Sequence, residues 1–267
     1  MKLCGTEELD IVKTFECGQC FRWNCGEDGI YRGVVDGHYA EVSVKDSEVY
    51  ITSDAPEDLW PRYFDLDTDY AEISRAFTGD YLSECVRYGS GIRILRQDSW
   101  EALCSFIISQ CNNISRIKGI VERLCENFGD KIIVDEKTYY SFPSAGRLAE
   151  LEPDDLACIR SGYRAEYIIC AAKAVVNGDI DLEALKECDY KQAIKTLRTV
   201  RGVGEKVANC VVLFGLWHME AFPIDVWMKR ALKENFPPNF DPETLGHYAG
   251  LAQQYIFYYA RSTGKEK

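Results

Sequence analysis

The chain has 267 residues, 46% of them apolar, and a net charge of −12 at pH 7. That apolar content can bury a core for one or two domains, and no window approaches the roughly 20 apolar residues needed to span a bilayer. Twelve scattered cysteines point to reduced thiols, and Met1-Lys2-Leu3-Cys4-Gly5-Thr6-Glu7-Glu8 carries no apolar signal region, so the expectation is a cytoplasmic, bacterial-type protein without a membrane role.

Up to about residue 60 the pattern is strand-like. Tyr31, Gly33 and Val35 alternate before Asp36-Gly37, a hairpin signal, and Tyr39-Ala40-Glu41-Val42-Ser43-Val44 alternates after it. A turn at Lys45-Asp46-Ser47 leads into Glu48-Val49-Tyr50-Ile51-Thr52, which completes a small antiparallel sheet. Just upstream, Cys17-Gly18-Gln19-Cys20 has the spacing of half a zinc knuckle. Cys4 and Cys25 supply no second pair and no histidine is near, which argues against zinc.

From Asp67 onward helical periods take over. Asp98-x-x-Glu101 reads as a capping box opening a helix through Trp100, Leu103, Phe106 and Ile107. Asn113 caps another, with Ile114, Ile117, Val121, Leu124 and Phe128 on one face and Gly129 at its end. Further helical runs cover about 163–177, 189–199, 205–217, 225–236 and 241–262. The fold class is therefore α+β. An N-terminal sheet domain, 1–97, packs on a mostly helical domain, 98–267, with no low-complexity linker between them.

Between two of these runs lies Arg201-Gly202-Val203-Gly204, followed by Glu205-Lys206-Val207-Ala208-Asn209-Cys210, and then by Asp225 in Phe222-Pro223-Ile224-Asp225-Val226. The flanking apolar positions suit a helix-hairpin-helix. Gly202 and Gly204 let the chain reverse where a Cβ would clash, and they leave N–H groups open for a phosphate. Lys206 falls in the first turn of the next helix, where the helix dipole eases release of its proton. A nucleophilic lysine beside a carboxylate is the minimum equipment for Schiff-base chemistry, here on nucleic acid. On these residues alone an ordinary αα-corner with a solvated lysine is the commoner reading. Charge distribution bears on the choice. Residues 1–98 hold ten Lys or Arg against twenty Asp or Glu, whereas residues 191–233 hold eight against three. The field near the hairpin is positive in an acidic chain, which implies weak, salt-sensitive binding to duplex DNA.

Five segments, in order, resemble the 8-oxoguanine DNA glycosylases of the helix-hairpin-helix superfamily. They are Gly18-Gln19-Cys20-Phe21-Arg22-Trp23, Asn112-Asn113-Ile114-Ser115-Arg116 with Val121-Glu122-Arg123-Leu124, Gly162-Tyr163-Arg164-Ala165, the hairpin with Lys206 through Asp225, and Ala249-Gly250-Leu251-Ala252-Gln253 with Phe257. The resemblance implies that the target nucleotide is flipped out of the duplex. It makes Lys206 the nucleophile at C1′, Asp225 the stabiliser of the positive sugar, and Gly202 and Gly204 a phosphate grip. The carbonyls of Arg198, Val200 and Val203 would form a cation site. Neither a catalytic metal nor another cofactor is implied, and the protein is expected to act as a monomer on double-stranded DNA.

For the base itself, the resemblance assigns the Gly18 carbonyl to the N7 hydrogen that 8-oxoguanine has and guanine lacks. Gln253 reads the Watson–Crick edge, and Phe257 and Cys210 sandwich the ring. Arg116, Arg164, Tyr163 and Asn112 face the opposite cytosine. There are two departures. The family's cytosine-contacting asparagine falls on Cys111, one place before Asn112, and a family histidine is Trp227 here. An alkylpurine glycosylase or a catalytically silent DNA-binding module would share the fold, and Lys206 separates both from a bifunctional glycosylase and lyase.

Overall fold

The structure, a computed structural model, describes residues 1–264. In chain order come β1 (Lys2–Gly5), α1 (Ile11–Glu16), β2 (Asn24–Cys25), β3 (Tyr31–Val35), β4 (His38–Lys45) and β5 (Glu48–Ser53). Three helices follow, α2 (Leu59–Tyr63), α3 (Tyr70–Ser74) and α4 (Asp80–Gly89). Then come α5 (Ser99–Ile108), α6 (Ile114–Phe128), β6 (Lys131–Val134), β7 (Lys137–Tyr140) and α7 (Ala145–Ala149). The last six are α8 (Arg164–Val176), α9 (Leu182–Glu187), α10 (Tyr190–Leu197), α11 (Glu205–Phe214), α12 (Val226–Asn235) and α13 (Ala249–Thr263).

The sheet is antiparallel in the order β1-β5-β4-β3-β2. Both of its tight turns take two residues with positive φ, Asp36-Gly37 and Asp46-Ser47, which matches the twist of the strands they join. Lys45 therefore ends β4 instead of opening the turn. One face of the sheet closes over Phe15, Trp23, Trp60 and Phe64, with Phe15 stacked on Trp23 at 4.5 Å. A second, larger core joins the helices. It takes in Phe77, Leu82 and Cys85 from the α3–α4 region, and α4 packs on α13 near the far end of the chain.

The helical domain contains a hairpin that the helical reading of this region did not foresee, β6 paired with β7. Its turn, Asp135-Glu136, has positive φ at both residues without a glycine to announce it, and each strand is only four residues long. The run expected from 241 to 262 is broken. A short 3-10 turn at Pro242–Leu245 stops at Gly246, where φ is +75°, and α13 begins at Ala249. At α5 only half of the expected capping box forms. Asp98 accepts from the Glu101 N–H at 2.7 Å, but the Glu101 side chain turns to Arg22 instead of back to its own cap.

That pair fastens the two parts of the molecule. Arg22 Nη1 lies 3.4 Å from Glu101 Oε2, and its Nη2 donates to the Tyr140 carbonyl. Burial pushes the Glu101 carboxyl up to about 7, against the pull of the Arg22 guanidinium. A carboxyl raised in the folded state adds stability through its protonated form, fully present below its ordinary value of 4.5 and lost as pH rises through about 7. Glu101→Gln keeps an acceptor for Arg22 and removes this titration. The melting temperature of the variant relative to the parent is expected to climb as pH rises from about 4.5 through 7. Thermal denaturation across that range checks it, and a difference independent of pH would contradict it.

Candidate active site

Three helix N-termini converge on one cleft. Asn113 caps α6, accepting from the Arg116 N–H at 2.9 Å, and Asp225 caps α12, accepting from the Met228 N–H at 2.9 Å. Gly204 caps α11 with no side chain, so the first N–H groups of that helix stay open. The cleft, about 800 Å³, is lined by these three termini, by Phe106 and Ser109 at the end of α5, by Gly18 and Phe21, and by Phe257 and Arg261 of α13. Helix N-termini carry partial positive charge and unpaired donors, so an acidic chain still presents an anion-binding face here.

Gly18, Phe106, Lys206, Asp225 and Phe257 also line a smaller recess of about 50 Å³. Cys210, Pro223 and Gln253 are among the residues that complete it. A recess of that size admits about one or two waters rather than a purine. Phe257 now rests on Gly18, its Cε1 only 3.4 Å from where a Cβ on that residue would sit. Gly18 has φ +83°, a conformation that L side chains rarely adopt.

Lys206 lies one residue into α11, half-buried, with its Nζ 3.2 Å from Ser109 Oγ and 5.4 Å from the Phe106 ring centre. Among the described residues it makes no ion pair. Cys210 follows one turn along the same helix face. Burial raises its thiol, with the Lys206 ammonium pulling the other way, so Cys210 meets the recess as a neutral, apolar group. Gln253 is buried, donates its Nε2 to the Pro223 carbonyl at 3.1 Å, and leaves Oε1 without a partner among the described residues. A buried acceptor left unpaired costs about 1–3 kcal/mol, which a ligand N–H facing it would recover.

The hairpin glycines differ. Gly202 has φ +86°, and a Cβ there would fall 2.2 Å from Tyr167 Cγ, as the sequence reading requires. Gly204 has φ −85° and open space around it, so the turn does not demand glycine at that position. Of the carbonyls expected to hold a cation, that of Val200 already accepts the Val203 N–H at 3.0 Å.

The residues expected to face the opposite base are divided. Arg116 is exposed at the start of α6, and Tyr163 is 53% exposed ahead of α8. Asn112 lines the cleft while donating to the Ile108 carbonyl at 3.1 Å. Arg164, in contrast, is buried, and its guanidinium donates to the carbonyls of Gln110, Cys111 and Ser161. It braces the 110–111 turn, where Cys111 holds φ +48°. Trp227 lines the cleft and packs across Gly264. Cys17 and Cys20 are buried, and no group of three potential metal-ligating side chains converges among the described residues. Sequence reasoning missed Ser109 and Arg261. Each is a lone polar residue at a helix end, and only the tertiary fold brings it to the cleft.

Residues 2–103 match the family described as 8-oxoguanine DNA glycosylase, N-terminal domain, and residues 104–244 match the HhH-GPD superfamily of base excision DNA repair proteins. The chain belongs to that superfamily. Within it the glycosylase groups with the N-glycosylase/DNA lyases. The Saccharomyces cerevisiae N-glycosylase/DNA lyase is 32% identical over 262 residues, covering 86% of this chain and 69% of the yeast one. A solved structure described as MBOgg1 in complex with a low affinity DNA ligand is 39% identical, with a TM-score of 0.92 and coverage of 99% of this chain and 96% of the other. The Clostridium acetobutylicum 8-oxoguanine glycosylase/lyase, bound to duplex DNA with cytosine opposite 8-oxoguanine, is 34% identical at a TM-score of 0.90, covering 99% and 98%.

The two hairpin glycines give a direct test. Gly202→Ala is expected to cost at least about 2 kcal/mol, from left-handed strain plus the clash with Tyr167. Gly204→Ala should cost less than about 1 kcal/mol. Chemical denaturation of both variants checks this, and equal losses would contradict the assignment.

Proposed function

We propose that this enzyme excises 8-oxoguanine from duplex DNA and then nicks the strand, with Lys206 as nucleophile and Asp225 as its electrostatic partner. The observation that carries the reading is the shared recess: Lys206, Asp225 and Gln253, whose Oε1 has no partner among the described residues, all border it. Lys206 Nζ, after giving up a proton, attacks C1′ while the C1′–N9 bond breaks and the damaged base leaves with the bonding pair on N9. The positive sugar that develops is met by the Asp225 carboxylate, whose Oδ1 is held by its own helix N-terminus and so stays in place. The attacking nitrogen then loses one proton, its lone pair breaks the C1′–O4′ bond, and O4′ takes up a proton, which leaves the opened sugar as a protonated Schiff base. Removal of a C2′ proton then expels the 3′ phosphate by β-elimination.

Selectivity rests on the Gly18 carbonyl, which attracts the N7 hydrogen of 8-oxoguanine and repels the bare lone pair of guanine. Gln253 reads the opposite edge, and the ring enters between Phe257 and neutral Cys210. Arg116, Tyr163 and Asn112 contact the opposite strand, with preference for cytosine. The preference is modest, because the Arg164 guanidinium is already engaged by backbone carbonyls.

Duplexes carrying 8-oxoguanine opposite each of the four bases test this. Free 8-oxoguanine and a nick on its 3′ side are expected from all four, fastest opposite cytosine. Gln253→Ala should slow base release about ten- to a hundredfold. Failure to release 8-oxoguanine from any duplex would overturn the proposal, as would release of an alkylated purine without strand cleavage.

A further inference from the structure

Four consecutive carbonyls run through the turn that carries Gly18, and three of them are fastened by side chains from elsewhere. The Glu16 carbonyl accepts from Arg261 Nη2, the Cys17 carbonyl from Gln254 Nε2 at 2.8 Å, and the Gln19 carbonyl from Gln97 Nε2 at 2.9 Å. The Gly18 carbonyl accepts nothing among the described residues. The Gln19 side chain tightens the turn further. Its amide donates to the carbonyls of Thr14 and Arg93, at 3.0 and 2.7 Å, and accepts from the Leu95 N–H at 2.9 Å. Two of the three fasteners, Gln254 and Arg261, stand on α13, which also carries Gln253 and Phe257.

We infer that Gln254 and Gln97 are positioning residues for base selection: by holding the carbonyls on either side, they fix the one free carbonyl, that of Gly18, at a set distance from Gln253. The reason is geometric. Telling N7–H from a bare N7 depends on an acceptor that cannot retreat, because a mobile carbonyl would swing away from guanine and lose the repulsion. Gln254 is 2% exposed and bonds across 237 residues of sequence, so its amide stays in place at the cost of a buried polar group. An apolar residue would pack there with less desolvation, and the bond is what the amide adds.

The inference rests on the function proposed above, and the test separates the two. Gln254→Met and Gln97→Met keep side-chain bulk and remove the donor. Base release from an 8-oxoguanine duplex is measured alongside β-elimination on a duplex with a ready-made abasic site, which needs Lys206 but no base in the recess. For both variants base release is expected to fall about tenfold, with cleavage at the abasic site unchanged. Selectivity for 8-oxoguanine over guanine, measured by duplex binding, should fall with it. Base release at the parental rate would overturn the inference, and so would a parallel fall in both reactions, which marks general loss of structure. If the parent itself releases no 8-oxoguanine, the underlying function fails instead.

Discussion

The constraint on which the site depends is the grip of α13 on the turn at residues 16–18. Two walls of the recess come from opposite ends of the chain, Gly18 from one and Gln253 with Phe257 from the other. Hydrogen bonds from Gln254 and Arg261, spanning 237 and 245 residues, hold them together. Closing such a span costs entropy that two bonds do not repay, so the packing of α13 has to supply it. Every residue from Ala249 to Ile256 is buried, and α13 packs on α4 as well as α12. The recess is therefore a product of the whole fold rather than of one motif.

Charge works in the same selective way. The chain is acidic overall, at −12, and the acidic excess is concentrated in residues 1–98. The cleft gathers Lys206, Lys229 and Arg261 with three helix N-termini. Such a charge distribution draws a polyanion to that face and turns it away from the rest. Glu205 and Asp225 are the acidic residues among these cations. By capping its own helix Asp225 keeps its carboxylate fixed at the cleft.

Much of this was legible in the sequence, for reasons tied to individual residues. Asp36-Gly37 marks a hairpin because glycine admits positive φ, and Asn113 and Asp225 mark helix starts because short polar side chains cap them. Asp135-Glu136 makes the same kind of turn without glycine, and the hairpin it joins went unread. At the site, Lys206 and Gly202 stood out through the hairpin, and Gly18, Gln253 and Phe257 through resemblance. What the sequence leaves unsaid is which polar groups find partners. Arg164 is bound to backbone carbonyls, Gln253 keeps an unpaired oxygen, and Gln254 reaches the turn beside Gly18. The bonds of Arg164 to Gln110 and of Gln254 to Cys17 are long-range, and like the unpaired oxygen they are invisible to periodicity or spacing.

The central claim is that Lys206 carries the covalent step while base selection lies across the recess from it. Reduction with borohydride during turnover of an 8-oxoguanine duplex tests that claim most directly, with the adduct mapped to a single peptide. The expected result is a stable protein–DNA adduct on Lys206 that disappears in Lys206→Gln, although that variant still binds the damaged duplex. An adduct mapped to another lysine, or one that persists in Lys206→Gln, would contradict the account.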